Sequence, residues 1–432
     1  MAIILATVII LVGLLLGVYI QYVFAAASIV LVILLDYKST FLLTYGFGII
    51  NSLVLLCVPL FIAVGLLMEK SGIGKHLINF VDIFVGRAKA GLAIVAIVAS
   101  GAFGSISGSA FATLSCIGSI MKPRFKEYGY PDGFTAALVT CSSPLGLLIP
   151  PSAHMVLYSF AGRQSMLACF LATVVPGVIL MVFMSITCCF LLRNNKDIKV
   201  RSKMSFKEFS GMAAKRTSST LPALFMPVIV LGGIYSGCFT PTEAAAVAVV
   251  YTIPVGFFIY RQLTLKNLGE VLIETASTTG VCMVMIFCTM MLARIYIMED
   301  LPLIITDFLQ RFAVSKNVIL LGVNVLLLII GMLMDDTSAM LLCAPILIPV
   351  LKEFGVDPIQ FAGIIGVNLG IALLTPPCAP CLYFGSKVMK MDITSMLPTT
   401  LSILIFAYLP TLILTTYVPE VTLWLPRLVL GN

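Results

Sequence analysis

Apolar residues run through this chain in long stretches that are rarely interrupted by charge. A helix needs about 20 apolar residues to cross a bilayer core of roughly 30 Å. The uncharged stretches predict spanning helices near residues 2–19, 21–35, 47–68, 133–161 and 166–192, then 219–236, 241–260, 275–296, 359–386 and 396–417. Two more apolar stretches, 90–121 and 317–348, are too long for one helix and carry polar residues in their middles, so both read as re-entrant hairpins. The fold expected is an all-α polytopic membrane protein.

Part of this pattern occurs twice. Lys126, Glu127 and Gly129 recur as Lys352, Glu353 and Gly355, and Pro123, Pro150 and Pro151 recur as Pro349, Pro376 and Pro377, always 226 positions later. The chain then divides into a first repeat at 1–192, with hairpin 90–121 and broken helix 133–161, and a basic loop at 193–217. A second repeat follows at 218–432, with hairpin 317–348 and broken helix 359–386. Each repeat holds five complete spans, an odd number, so the two copies are expected in inverted topology. Interrupted hydrophobic segments at matching places in two such halves point to a transport site.

Composition supports the membrane reading: 60% of residues are hydrophobic and 10% charged, against roughly 25% charged in an average soluble domain. Mean hydropathy is +1.12. Lys and Arg collect in cytoplasmic loops, and the segment Arg193 to Arg216 holds eight of them against Asp197 and Glu208. Placing that loop inside also puts Lys70, Lys75, Arg87, Lys89, Lys122, Arg124, Lys126, Arg261, Lys266, Lys387 and Lys390 inside, making 19 of 26 basic residues cytoplasmic. Both termini then fall outside. The loop reads as a solvated linker that sets topology, with no nucleic-acid role. Residues 1–20 lack a basic n-region, so the first helix is expected to be retained rather than removed as a signal peptide. The twelve cysteines lie mostly in apolar segments and read as packing residues. Cys378 and Cys381 have CxxC spacing without a redox βαβ context.

Four interruptions concentrate the chemistry. Gly101, Gly104, Ser105, Ser107, Gly108, Ser109 and Thr113 crowd the first hairpin more densely than close helix packing requires. Unwound backbone at membrane depth must be buried in protein or line a polar cavity. Its carbonyls and hydroxyls suit Na⁺, and a neighbouring helix N-terminus suits an anion. Ser142-Ser143-Pro144 through Pro150-Pro151-Ser152 breaks the second segment, because proline removes amide donors. Leu374-Thr375-Pro376-Pro377 repeats that break. The fourth interruption is Gly331, Asp335, Asp336, Thr337 and Ser338. An aspartate there can coordinate Na⁺, carry a proton, bond substrate hydroxyls or cap a helix, and the sequence does not separate Asp335 from Asp336. His154 reads equally as a structural histidine or a substrate contact. Thr240-Pro241-Thr242-Glu243 has the chemistry of a helix start.

The runs Val58-Pro59-Leu60-Phe61-Ile62, Ser107-Gly108-Ser109, Ile149-Pro150-Pro151-Ser152 with Val156 and Tyr158, Thr240-Pro241-Thr242-Glu243-Ala244-Ala245 and Thr375-Pro376-Pro377 resemble the large permease subunit of TRAP transporters, the DctM-like family. The resemblance covers essentially the whole chain. It implies an elevator-type transporter of the bacterial inner membrane, with two re-entrant hairpins and two broken helices carrying an organic acid and Na⁺. It also implies two partners, a small DctQ-like membrane subunit and a periplasmic DctP-like binding protein. Carried over by motif, one Na⁺ site would involve Ser105, Ser107, Gly146 and Ile149, and a second Gly331, Met334 and Thr375. Substrate would meet Ser107, Ser109, Ser152 and the aspartates Asp335 and Asp336, with His154 nearby. Two departures stand out. Cys378, Ala379, Pro380 and Cys381 replace the family's usual Gly and Asn, and His154 replaces a nonpolar residue or proline. Both changes lie near the substrate, so the resemblance leaves the ligand open between a C4-dicarboxylate, a sialic acid and another acid.

Three function classes remain at this stage: a Na⁺-coupled, binding-protein-dependent importer, a stand-alone anion carrier, and an intramembrane enzyme. The last fares worst, since no HExxH, GxSxG or two-His metal arrangement is present.

Overall fold

The computed structural model describes residues 2–85, 89–195, 197–199, 206–311 and 315–431, and these residues form helices without a strand. Arg87, Lys196, Arg201 and Lys203 of the topology assignment lie outside the described residues. Among the described residues six helices are long and apolar enough to cross a membrane: Leu53–Ser71, Met166–Leu192, Pro241–Ile259, Leu265–Met298, Lys316–Leu333 and Ile393–Tyr417. Asp132–Leu148 and Ala153–Gly162, bent by 44° at the break between them, make a seventh when the pair is counted as one span. The first helix, Ala2–Leu15, is shorter than the predicted 2–19, and the second, Ile20–Leu34, has the predicted length displaced by one residue.

Several boundaries differ from the hydropathy pattern, each for a local reason. The stretch 47–68 is not one helix. Ser39–Ile50 stops where Asn51 and Ser52 interrupt the apolar run, and the span itself starts at Leu53. Phe206–Tyr235 begins inside the basic segment, because Lys, Glu, Met and Ala are good helix formers whether or not they are apolar enough to span. Leu265–Met298 overruns 275–296 at both ends. Its 34 residues would extend about 51 Å, well past a bilayer core. Three helices went unpredicted: Ile73–Val85, Leu301–Arg311 and Glu420–Leu430. Each mixes charged with apolar residues at helical spacing, which a search for uncharged stretches passes over.

The predicted helix start at Thr240 is present as a reciprocal cap. The Glu243 amide donates to Thr240 Oγ1 at 3.3 Å, and the Thr240 amide donates to Glu243 Oε2 at 2.8 Å.

Both long interrupted stretches are pairs of helices meeting at a short tip. Gly91–Ser107 turns into Ala110–Glu127, and Lys316–Leu333 turns into Asp336–Glu353. Lys316–Leu333 is by itself long enough to span, which the hairpin reading of 317–348 did not anticipate. Corresponding helices start at Ala110 and Asp336, and at Asp132 and Pro358, again 226 positions apart.

Close approach of small residues seats the first tip. A Cβ on Gly104 would lie 2.4 Å from Gly146 Cα, and a Cβ on Gly146 would lie 2.9 Å from both Ser109 O and Thr113 Oγ1. Two buried hydroxyls join the halves. Tyr158 donates to Pro358 O at 2.6 Å, and Tyr408 donates to Cys141 O at 2.7 Å. A buried amide cluster ties the second half together: Asn368 donates to Asn324 Oδ1 at 2.6 Å, Asn324 to Thr416 Oγ1 at 3.0 Å, and Gln360 to Thr416 O at 2.9 Å.

Because the neighbour at Gly104 is backbone, Gly104→Ala must displace the turn that starts at Leu145. Overpacking of this kind costs about 1–3 kcal/mol. The substitution is therefore expected to lower the melting temperature of the detergent-solubilised protein by several degrees, and unchanged melting would contradict the contact.

Candidate functional site

The first tip is built by its sequence. Ser107 ends one helix, and Gly108 takes a left-handed conformation at φ +61° that places its amide 2.8 Å from Gly104 O. Ser109 caps the next helix, its Oγ accepting from the Ala112 amide at 3.4 Å. Thr113 Oγ1 donates to Ser109 O at 2.7 Å and lies 3.2 Å from Ser107 Oγ. Ser105 Oγ is turned back onto Ala102 O at 2.8 Å.

This tip rests on the first break. Asp132–Ser142 is followed by the single turn Leu145–Leu148, then by extended Ile149, a cis Pro150-Pro151 bond and extended Ser152, before Ala153–Gly162 resumes the helix. A Cβ on Gly108 would come within 3.0 Å of Pro151 O and 3.4 Å of Ser152 Cα, so only glycine lets the tip approach the break this closely. Ser152 is fully buried, and its Oγ has no hydrogen-bond partner among the described residues.

The second tip separates the two aspartates. Asp335 is a helix cap whose Oδ2 accepts from the Ser338 amide at 3.0 Å. Asp336 Oδ1 accepts from the Thr337 amide at 2.9 Å, and its Oδ2 lies 2.8 Å from His154 Nε2. Thr337 Oγ1 is 3.5 Å from the same nitrogen. His154 therefore bridges the first broken helix to the second tip.

The second break is different. Thr375 Oγ1 donates to Ile371 O at 2.8 Å, Pro376-Pro377 is cis, and Cys381 donates its amide to Leu373 O at 3.1 Å. A Cβ on Gly331 would lie 2.5 Å from Ala372 Cβ, and Cys378 Sγ is 3.8 Å from Leu333 O. The residues around Gly331 and Met334 thus sit beside those around Thr375.

A cavity of about 410 Å³ gathers the tips. Ser107, Ser109, His154, Asp336 and Thr337 line it. Lys70 and Glu69, from Leu53–Ser71, and Glu274, Thr278 and Cys282, from Leu265–Met298, line it as well. Ser115 Oγ donates to Glu69 Oε1 at 2.9 Å. Ser152, Asp335 and Thr375 are not among the lining residues. Lys70 and Glu274 were missed as site residues because each lies near the end of an apolar run, where hydropathy reads a charge as topology. Hydroxyls, the Lys70 ammonium and the His154–Asp336 pair can meet the polar atoms of a small acid, and the carboxylates of Glu69 and Glu274 stand in the same cavity, so an anion would have to be held by the ammonium and hydroxyls against them.

Known proteins share this chain's pattern. A protein from Pseudomonas aeruginosa, "C4-dicarboxylate TRAP transporter large permease protein DctM", is 38% identical over 377 residues, covering 86% of each chain. The "Isethionate TRAP transporter permease protein DctMQ" of Oleidesulfovibrio alaskensis is 34% identical over 380 residues, covering 88% of this chain and 59% of that one. Among solved structures, the Alcanivorax borkumensis YdaH transporter aligns with a TM-score of 0.60 at 14% identity over 90% of both chains, a likeness of fold alone. The family described as "Tripartite ATP-independent periplasmic transporter, DctM component" matches residues 7–421. The chain belongs to that family: it is the large permease of a TRAP transporter, a multi-pass protein of the bacterial inner membrane and not an enzyme.

Proposed function

We propose that this permease imports a small organic acid together with Na⁺, receiving the acid from a periplasmic binding protein and moving it by an elevator displacement of the hairpins and broken helices. One observation carries the reading. Residues from both hairpin tips and from a broken helix line one cavity together with Lys70 and Glu274 of helices Leu53–Ser71 and Leu265–Met298. A cavity shared between two sets of elements can carry its contents when one set slides past the other.

Lys70 and the hydroxyls of Ser107 and Ser109 would meet the acidic group, and the His154–Asp336 pair its remaining polar atoms. The relatives' printed substrates, a C4-dicarboxylate, isethionate and sialic acid, are all organic acids and support that class. For Na⁺, the first set implied by the family resemblance is Ser105, Ser107, Gly146 and Ile149. It is supported by the packing of Gly146 against Ser109 O and Thr113 Oγ1 and by the extended Ile149, whose chain has left the helix. The second set, Gly331, Met334 and Thr375, is supported by the Gly331–Ala372 contact. Hydroxyl and carbonyl oxygens of this kind suit a hard cation.

The family is tripartite, so two further components are expected: a small membrane subunit and the binding protein. The joined name DctMQ, and the 59% of that relative covered here, fit a permease whose small subunit can be fused to the large one. The repeat reading supports opposed orientations of the two halves, which would allow the tips to be reached from opposite faces.

The deciding experiment is uptake of labelled succinate, isethionate and other organic acids into proteoliposomes holding this chain and its small subunit, with and without a Na⁺ gradient and the binding protein. Uptake that requires both is expected. Na⁺-driven uptake without the binding protein would make the chain a stand-alone carrier instead.

Two substitutions sharpen the assignment. Asp336→Asn weakens the contact to His154, a charged hydrogen bond worth about 1.5–3 kcal/mol, and should reduce uptake at low substrate by roughly ten- to a hundredfold; wild-type uptake would remove the pair from the site. Thr375→Val keeps shape and loses the hydroxyl, and should raise the half-saturating Na⁺ concentration several-fold while leaving the half-saturating acid concentration nearly unchanged.

A further inference from the structure

A second cavity, of about 650 Å³, lies between the same elements at their other ends. Three helices run from one cavity to the other. On Ala153–Gly162, His154 and Leu157 line the first cavity and Ser159 to Gly162 the second. On Asp336–Glu353 the change is from Asp336 to Pro345, Ile348 and Pro349. On Leu265–Met298 it is from Cys282 to Met290, 8 positions or about 12 Å along the axis, with Arg294 one turn further on. The two cavities therefore lie along the same three helices, with the His154–Asp336 pair on the wall of the first. Since the basic segment after Arg193 marks the cytoplasmic side, the cavity with Lys70 faces inward and the larger one outward.

The outer cavity is electropositive. Arg163 and Arg294 line it, with no aspartate or glutamate among its described lining residues. Arg294 Nε is buried and has no hydrogen-bond partner among the described residues. Its guanidinium stands 5.3 Å from the ring of Tyr45 and 6.0 Å from that of Phe41, two aromatic faces that hold it in place without neutralising it. Glu299, the next acid along the chain, accepts from Tyr37 Oη at 2.6 Å and does not line the cavity. A buried guanidinium nitrogen without an acceptor, in the apolar stretch from Val281 to Met298, marks a place for an anion.

We propose that Arg294 and Arg163 form an outer receiving site for the acidic group of the transported acid, holding it as it arrives from outside and before it reaches the hairpin tips. This rests on the import reading above and adds a second station to it. A planar guanidinium matches a carboxylate or sulfonate through two parallel hydrogen bonds. The cavity's volume fits one small acid rather than a protein loop.

The test uses the reconstituted complex with its binding protein, and succinate or isethionate, whichever the wild-type complex imports. Arg294→Gln and, separately, Arg163→Gln are expected to lower the maximal uptake rate about tenfold, to leave the half-saturating concentration of acid-loaded binding protein within twofold, and to melt within a few degrees of wild type. The exposed Arg163 keeps the test open if the Arg294 variant folds poorly. An unchanged rate overturns the proposal. So does a raised half-saturating concentration with the rate retained, which would make the pair a docking contact for the binding protein. A loss seen only in vesicles with anionic lipid, and not in purely zwitterionic ones, would assign the guanidinium to a phospholipid headgroup and overturn it as well. Failure of the wild-type complex to import any acid would instead defeat the reading beneath it.

Discussion

Everything in this fold depends on how a helix can be broken inside a membrane-spanning layer without exposing backbone to lipid. An unpaired amide or carbonyl in hydrocarbon costs several kcal/mol, so each break must be covered by protein. At the first break the cover is the tip at Gly108, which approaches Pro151 and Ser152 closely enough that a single methyl would collide. At the second, Gly331 meets Ala372 and the Cys381 amide bonds across the break to Leu373 O. Gly108 is small because backbone must meet backbone, and Gly331 because the Ala372 methyl takes the space a side chain would need. The serines and threonines beside them supply hydrogen bonds that water would otherwise make.

That constraint also explains what the sequence reveals and what it hides. The tips and breaks are legible because glycine, serine, proline and aspartate in apolar surroundings are costly unless used; the helix pairs meeting at Gly108–Ser109 and at Met334–Asp335 follow from that pattern. Met166–Leu192 matches its predicted bounds for the same reason, being apolar from end to end. Ile73–Val85 and Leu301–Arg311 are hidden because an amphipathic helix leaves no uncharged stretch. The division of labour between Asp335 and Asp336 is hidden too. Successive residues at a helix start point in different directions, and only the fold shows that one caps the helix while the other reaches His154. Lys70 and Glu274 lie outside the motifs whose cavity they help to line.

His154 illustrates how a departure from a family pattern is absorbed. A histidine in the first turn after the break at Pro150-Pro151 needs a partner, and Asp336 stands within 2.8 Å in the other half of the chain. The aspartate, for its part, has one oxygen on the Thr337 amide and the other on the imidazole. A polar pair in an apolar layer is stable only while both members are present, because removing one leaves the other without a partner.

Two tyrosines carry a longer consequence. The hydroxyl of Tyr158 fills a carbonyl of the second half at Pro358, and that of Tyr408 fills a carbonyl of the first half at Cys141. Each half thus supplies a group that the other half's backbone requires, once in each direction. Both acceptors are backbone carbonyls, which any residue presents, so the side chains at 358 and 141 can vary while the chain path there cannot: neither half can reshape its backbone at these points without stranding the other half's hydroxyl.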